Sequence, residues 1–323
     1  MTTGHTKLAT SLGPVTAGRS SSAGAATAGV AASLAAGVLA AALLLPGAAR
    51  AADVMTWVLP DFAPASIPVN GRPGNGVADQ SVNFLMAKWP EAEHRFIYAN
   101  ARRTWAMLSQ GEPVCFAAAL RTPDRERIAY FSNTNRIPPP GLVVRADVLP
   151  RLRLNSAGEA DLPALLAQGA LRGLVVENRS YGALADEAIA RKPSHATLQT
   201  TAAGNYGKNI FKMIAAERAD YTLDYDFAFA YELARAPELA TLRTVPVAGT
   251  GEPVTTGIAC PRTKWGRVTI LKIDRLLGTR EGADALVRAQ ATWQTEATRQ
   301  RYAADVAEFA RQRAKPSPAS DFD

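Results

Sequence analysis

The chain contains 323 residues, with 36 lysines and arginines against 29 aspartates and glutamates, for a formal net charge of +7. Three of the 36 basic residues and none of the acidic ones precede residue 52, so residues 52–323 keep 33 basic residues and a net charge of +4. This mild excess, without any run of lysines or arginines, excludes a nucleic-acid-binding surface. The chain also lacks the phosphate loop, the dinucleotide-binding glycine motif and the His-Glu-x-x-His motif, so no cofactor and no metal site are expected.

The first 51 residues have the pattern of a secretory signal peptide. Their only charges are basic, an apolar run covers 31–45, and the small-x-small sequence Ala49-Arg50-Ala51 follows. These are the three parts of a cleavable signal. We predict cleavage near Ala51 and, because no cysteine nearby could carry a lipid, release as a soluble protein into the periplasm. A membrane anchor or a buried helix remains the alternative for the apolar run.

Strand and helix patterns then alternate along the chain. Apolar runs predict strands and helical periodicity predicts helices, in the order strand 54–59, helix 77–89, strand 94–99, helix 102–108 and strand 114–120. This order predicts an α/β fold with a mostly parallel sheet flanked by helices.

A second α/β unit follows the first. Its predicted strands are 141–145, 173–177, 221–225, 241–248 and 256–260, and the predicted helices are 180–191, 208–217, 227–234, 268–277 and 283–313. If the chain crosses near Val144 and returns near Ala248, residues 52–145 and 249–313 form lobe one and 146–248 form lobe two. Two such crossings make a hinge between the lobes. The last residues, 314–323, are predicted to be a disordered tail.

The two cysteines of the chain, Cys115 and Cys260, both lie in the part predicted to be exported. Each belongs to an apolar, strand-like stretch, and an oxidising compartment favours pairing. We predict a disulfide between them, which would restrict the unfolded chain by on the order of 4 kcal/mol. Two buried free thiols are the alternative.

The turn Thr122-x-x-Arg125, followed by Tyr130-Phe131-Ser132, comes directly after the predicted strand 114–120. This pattern resembles the family 3 periplasmic solute-binding proteins of bacterial uptake systems, which are amino-acid-binding-like. The resemblance implies a two-lobed type II periplasmic binding protein fold, in which Arg125 binds a ligand carboxylate beside Thr122. A guanidinium suits this role because its planar fork of donors fits a carboxylate. A surface ion pair of Arg125 with Asp124 or Glu126 is the alternative.

Three further segments are similar to the same family. Phe62 matches an aromatic residue that stacks on the ligand, although a plain core position is equally open. Ser180 and Tyr181 open a predicted helix whose first-turn N–H groups would attract an anion, and Ser180 can also cap that helix. Asp224 or Tyr225 matches an acid that contacts the ligand ammonium.

The sequence departs from this family where amino-acid binders carry small hydroxyl residues. Alanines and a leucine fill those places over 117–120. Aromatic residues are available instead, at Trp57, Trp105, Tyr181, Tyr206 and Tyr225, and they suit a larger or partly apolar organic anion. Arg103, near the start of a short predicted helix, could add positive charge to the cleft or lie on a solvated face.

The function implied by the resemblance is non-catalytic. We expect a monomeric receptor that captures a small anionic solute, amino-acid-like or partly aromatic, by lobe closure and presents it to the membrane permease of an ABC transporter. One alternative is an enzyme on the same scaffold, such as a dehydratase of prephenate-like acids using Glu177 or Asp224 as its acid. Another is a solute receptor for a membrane sensor.

Overall fold

The computed structural model describes residues 53–177, 179–201 and 209–323, and Ala52–Asp323 form one compact unit. The predicted signal peptide and Tyr206 lie outside the described residues. The unit contains two five-stranded sheets flanked by helices. The predicted two-lobed α/β architecture is therefore confirmed.

The first sheet comprises β1 (Val54–Pro60), β2 (Glu93–Ala99), β3 (Val114–Leu120), β4 (Ala129–Ile137) and β10 (Val254–Pro261). The spatial order is β2-β1-β3-β10-β4. Strand β1 runs parallel to β2 and β3, whereas β10 is antiparallel to β3 and β4. The sheet is mixed because β10 returns from the second lobe and inserts between β3 and β4. The parallel strands β1 and β3 end at the same edge, which is where ligands commonly bind in such sheets.

The second sheet comprises β5 (Gly141–Arg145), β6 (Gly173–Val176), β7 (Leu198–Thr201), β8 (Tyr221–Asp224) and β9 (Leu242–Val245), in the order β7-β6-β8-β5-β9. It repeats the mixed pattern: β6 is parallel to β7 and β8, and β5 is antiparallel to β8 and β9.

The crossings between the sheets differ in part from the prediction. Strand β5, including Val144, pairs in the second sheet rather than the first. The outgoing crossing is therefore the proline run 138–140, a few residues earlier than expected. The return crossing is 246–253, a range that contains Ala248.

Eleven helices occur in the described ranges. In chain order they are α1 (Val77–Lys88), α2 (Ala101–Ser109), α3 (Pro123–Glu126), α4 (Leu162–Gln168), α5 (Ala183–Ala190), α6 (Ile210–Ala215), α7 (Asp226–Leu233), α8 (Lys264–Leu277), α9 (Arg280–Ala291), α10 (Glu296–Arg301) and α11 (Ala303–Arg313). Short 3-10 turns cover Ala146–Arg151, Pro237–Thr241 and Ala319–Phe322. None of these helices has both the length and the apolar character needed to cross a bilayer.

The C-terminal region departs from the sequence prediction in two ways. The single helix predicted over 283–313 is three helices, because Thr295 caps α10 by accepting a hydrogen bond from the Thr298 backbone N–H. The tail 314–323, predicted to be disordered, packs against α8. Phe322 is fully buried, and Arg267 Nε donates to its backbone carbonyl at 2.8 Å.

The predicted disulfide joins Cys115 on β3 to Cys260 on β10, with the two Cα atoms 4.4 Å apart. Both residues are fully buried in the first lobe's core, among side chains that include Trp57, Ile258 and Ile273. The pairing is confirmed over the alternative of two free thiols. It ties the last strand of the first sheet to its central strand.

Candidate ligand-binding site

A cavity of about 260 Å³ lies between the two lobes. The aromatic residues that line it are Phe62, Trp105, Phe116, Tyr225 and Phe227. The first three come from the first lobe, and Tyr225 and Phe227 flank the start of α7 in the second, with their rings stacked at 5.2 Å. Ligand cavities in proteins commonly start near 300 Å³, so this space suits a compact organic molecule.

Arg125 lines this cavity from the edge where β3 ends. Thr122 caps α3 by accepting a hydrogen bond from the Arg125 backbone N–H at 3.4 Å, which fixes the start of this short helix. The guanidinium lies 4.7 Å from the centroid of the Trp105 ring, and its Nη1 donates to the Leu120 carbonyl at 3.0 Å. A cation over an indole face is electrostatically favourable. The side chain is therefore held in one place before any ligand arrives.

No carboxylate neutralises Arg125 within the part of the chain that the structure describes. The two acids beside it in sequence are engaged elsewhere: Asp124 pairs with Arg127, and Glu126 pairs with Arg121. Burial lowers the pKa of the Arg125 guanidinium, but arginine remains protonated at neutral pH. The cavity wall therefore carries a half-buried positive charge that an anion could neutralise.

The other two charged side chains on the cavity wall have protein partners. Arg136 donates to Asp305, with the closest contact at 2.8 Å, and hydrogen bonding to that carboxylate raises the pKa of Arg136. Asp226 accepts hydrogen bonds from the Thr295 backbone N–H at 2.9 Å and hydroxyl at 2.7 Å, and from the Thr244 hydroxyl at 3.3 Å. Because Thr295 follows α9, the Asp226 contacts join the second lobe to the C-terminal helices that cover the first.

A second cavity of about 280 Å³ adjoins the first and shares Pro138, Asp226 and Thr298 with it. Asp224, at the end of β8, lines this second cavity. It forms a two-point ion pair with Arg179, one contact being 3.0 Å. Burial alone would lower the pKa of Arg179, but Asp224 beside it raises that pKa. The negative charge of Asp224 is thus balanced by Arg179. Unlike its neighbour Tyr225, Asp224 does not line the main cavity.

The predicted anion site at Ser180 and Tyr181 differs in the structure. Helix α5 begins at Ala183 rather than at Ser180, after Gly182, whose φ of +95° suits glycine. Asp186 from the same helix reaches back, accepting from the Ser180 hydroxyl and, at 2.7 Å, from the Tyr181 N–H. The protein's own carboxylate therefore occupies this helix start. Tyr181 is buried, and its hydroxyl accepts from the Val176 N–H at 2.8 Å.

Three other predicted contacts lie away from the cavity lining. Trp57 is fully buried in the core of the first lobe, where its Nε1 donates to His94 Nδ1 at 3.0 Å. Arg103 is exposed on α2, and Thr122 acts as the cap of α3. Glu177, considered as an enzymatic acid, is exposed and lines neither cavity.

Phe62 reaches the cavity on a loop that a buried carboxylate organises. Asp79 on α1 accepts hydrogen bonds from the Ser66 hydroxyl at 2.6 Å, the Ile67 N–H at 2.6 Å and the Gly76 N–H at 3.0 Å. The loop over 61–76 is therefore fastened to a helix of the first lobe rather than left to move freely.

Several polar residues on the cavity wall were not predicted from the sequence. Asn135 on β4 and Gln294 and Thr298 near α10 all line it. Asn135 on β4 pairs with Thr256 on β10, and Thr256 pairs with Leu120 on β3. The three residues thus lie side by side on neighbouring strands, and all three line the cavity. This placement depends on strand pairing that joins distant segments, so a local pattern could not reveal it. No group of three metal-ligating side chains occurs among the residues described.

Comparison with known proteins shows which solved structures share this architecture. No family model and no curated protein matches the chain. Among solved structures, an ancestral cationic amino acid solute-binding protein is 14% identical, with a TM-score of 0.56 over 76% of this chain and 96% of its own.

Two further solved structures show the same likeness. The probable amino-acid ABC transporter extracellular-binding protein ytmK from Bacillus subtilis is 15% identical, with a TM-score of 0.54 over 75% of this chain and 97% of its own. A histidine kinase sensor domain with similarity to periplasmic binding proteins is 15% identical, with a TM-score of 0.50 over 75% and 95%. At these identities the likeness establishes the fold, which is that of the type II periplasmic binding proteins.

Proposed function

We propose that this chain is a periplasmic solute-binding protein that captures a small carboxylate-bearing anion between its two lobes and delivers it to an ABC transporter. The observation that carries the proposal is Arg125, a half-buried cation on the cavity wall without a carboxylate partner among the described residues. A carboxylate ligand would neutralise this charge with two parallel hydrogen bonds. The apolar and aromatic lining would then bury the rest of the ligand.

Lobe closure around the ligand is supported by contacts that already bridge the lobes. Besides Asp226 and Thr295, Arg301 of α10 pairs with Glu159 and donates to the Ala157 carbonyl at 3.0 Å. Both contacts lie at the rim of the cavities. A ligand that fills the space between the lobes would add to them, which is how a hinged receptor traps its solute.

Two of the fold neighbours named above are solute-binding proteins and the third is a sensor domain, and this favours a receptor that performs no chemistry. Glu177 and Asp224, the acids considered for an enzyme, lie in positions that fit catalysis poorly, one exposed and one neutralised by Arg179. A role as the receptor of a membrane sensor is a second candidate, favoured by the likeness to a histidine kinase sensor domain. Site-specific cross-linking in cells would capture a permease in the first case and a kinase in the second. We expect the protein itself to be a monomer.

The test is a thermal-shift screen of amino acids and small organic acids, followed by calorimetry. A true ligand raises Tm with the logarithm of its concentration above Kd. Arg125→Gln should weaken the binding of a carboxylate ligand at least about tenfold, since it removes a charge-assisted bidentate contact. Arg127→Gln, two residues away in an exposed ion pair, is the matched control. Unchanged affinity in Arg125→Gln would contradict the proposal.

A further inference from the structure

His94 is a half-buried histidine on β2 whose two ring nitrogens both have hydrogen-bond partners. The indole Nε1 of Trp57 donates to His94 Nδ1 at 3.0 Å. On the other side of the ring, Nε2 lies 2.9 Å from the backbone carbonyl oxygen of Trp89. The imidazole therefore links the fully buried Trp57 of β1 to Trp89, the residue that caps the end of α1.

These two partners allow only one tautomer of His94. An indole N–H can only donate a hydrogen bond, so Nδ1 must present its lone pair to Trp57. A carbonyl oxygen can only accept, so Nε2 must carry the proton that is donated to Trp89. The contacts thus select the neutral imidazole with its proton on Nε2. An imidazolium has donors on both nitrogens and would place a second N–H against that of Trp57.

The Trp57 indole lies where water could not replace His94 as its acceptor. The side chain is fully buried in the core of the first lobe, and Trp57 pairs in register with Cys115 of the disulfide. If His94 Nδ1 took up a proton, the Trp57 N–H would stay buried without this acceptor. A buried donor without a partner is costly. Protonation of His94 is therefore coupled to the packing of this core.

The charged residues around His94 in the described chain are paired with one another. Lys272 of α8 pairs with Glu91 at 2.8 Å. The hydrogen bond from Lys272 lowers the pKa of Glu91, and the charge of a protonated His94 adds to that effect. On β2 the exposed side chains of Glu93 and Arg95 pair with each other at 2.8 Å, and β1 carries no charged residue. Glu91 alone would favour an imidazolium, but Lys272 already offsets its charge.

We propose that His94 is a proton-sensitive lock on the core of the first lobe: when neutral it accepts the Trp57 indole N–H, and protonation at Nδ1 breaks that bond. The unfolded chain takes up the same proton without losing a bond, so the unfolded state binds more protons. Stability therefore falls as the pH falls through the range of about 8 to 5 in which histidines titrate. Neither His94 nor Trp57 lines a cavity described above, so the lock is independent of the proposed function.

Nitrogen NMR on protein labelled with ¹⁵N-histidine and ¹⁵N-tryptophan tests the tautomer directly. At about pH 7.5, His94 Nδ1 should have the chemical shift of an unprotonated ring nitrogen, and Nε2 that of a protonated one. At about pH 5, Nδ1 should gain a proton, and the Trp57 indole N–H should exchange with solvent at least about tenfold faster than the loss of protection at other core amides explains. A proton on Nδ1 at the higher pH would overturn the proposal.

Urea titrations at the same two pH values measure the effect on stability. Between them the folding equilibrium constant of the wild type should fall roughly tenfold more than that of His94→Asn, whose side-chain oxygen can accept from Trp57 and does not titrate. His195→Asn is the matched control and should behave as the wild type does. His195 Nε2 likewise lies 2.7 Å from a backbone carbonyl, that of Ala167, but no described residue donates to its Nδ1.

An equal pH dependence in His94→Asn and the wild type would overturn the proposal, as would a loss of that dependence in His195→Asn alone. The NMR measurement on the wild type decides the matter even if His94→Asn does not fold.

Discussion

Asp226 and Thr295 bridge the two lobes through a pair of hydrogen bonds, from the Thr295 N–H at 2.9 Å and from its hydroxyl at 2.7 Å. Asp226 begins α7 in the second lobe, and Thr295 caps α10 beside the first. The same strip of chain touches the second lobe again where the Trp293 ring meets the Tyr231 ring at 5.1 Å. These contacts fix how the lobes approach each other at the rim of the cavity.

Thr295→Val should weaken ligand binding about twofold to tenfold, because it removes the hydroxyl bond that holds the lobes together around a ligand. The variant also loses a helix cap, which by itself costs about 1 kcal/mol of stability. Thr279→Val is the matched control, since Thr279 caps α9 by accepting from the Gly282 N–H and forms no hydrogen bond to the second lobe within the described residues. Calorimetry on both variants checks the difference. Equal affinities in the two variants would show that the bridge does not contribute to capture.

Asp79→Ala should lower the free energy of unfolding by about 2–3 kcal/mol, since it leaves buried donors of the 61–76 loop without an acceptor. The loop carries Phe62, so ligand affinity should fall as well. Hydrogen exchange should speed up at the Ile67 and Gly76 amides. Asp61→Ala, an exposed acid on the same loop, should change neither quantity, and a similar loss there would point to a general effect of loop charge.

Stability should fall at low pH through Asp220. Burial would raise the pKa of Asp220, but hydrogen bonds led by Arg172, with Arg145 adding to them, lower it to about 2. Because this folded-state pKa lies below the unfolded value near 4, the stabilisation is complete above about pH 4 and is lost as the pH falls toward 2. The loss should be roughly 2 kcal/mol.

Urea titrations at pH 4 and pH 2 measure this loss directly. Asp220→Asn should be less stable than the wild type at pH 4, and its stability should vary less between the two pH values. An equal pH dependence in the wild type and the variant would assign the acid sensitivity to other carboxylates.

Removing the disulfide with Cys115→Ala and Cys260→Ala together should lower the free energy of unfolding by on the order of 4 kcal/mol, because the bond closes a loop with a sequence separation of 145 residues. A thiol assay on unfolded, unreduced protein should detect no free thiol. Two reactive thiols, or an unchanged unfolding midpoint in the double variant, would contradict this prediction.

Local pattern was enough to predict elements whose ends are marked by turn residues. Strands β3 and β5 occur over the predicted residues 114–120 and 141–145, where apolar runs end in polar or proline-rich sequence. The helix predicted over 283–313 failed as a single element, since periodicity does not reveal that Thr295 starts a new helix. Strand β7 was not predicted, because its residues are partly exposed and mostly polar.

The residues of the candidate site likewise fall into those that local sequence could predict and those that it could not. Arg125 and Phe62 follow the ends of strands, so sequence position alone brings them to the cavity edge. Side chains along a strand alternate between its two faces, and composition alone did not show to which face of β1 the Trp57 ring points. In the structure that face packs in the core. Asn135 and Asp226 gain their roles from partners more than 60 positions away, Thr256 and Thr295 respectively, and such pairings exist only after folding.

The two crossings between the lobes have opposite backbone character. The outgoing one, 138–140, is three prolines, whose rings fix φ and stiffen the chain. The returning one contains Gly249 and Gly251, with φ of 76° and 84°, in a region that only glycine visits freely. When the two lobes open, they should therefore rotate about the proline run as a stationary pivot, while the backbone torsions of the glycine segment change. Stiffening the glycine segment should then slow ligand exchange more than any substitution among the prolines.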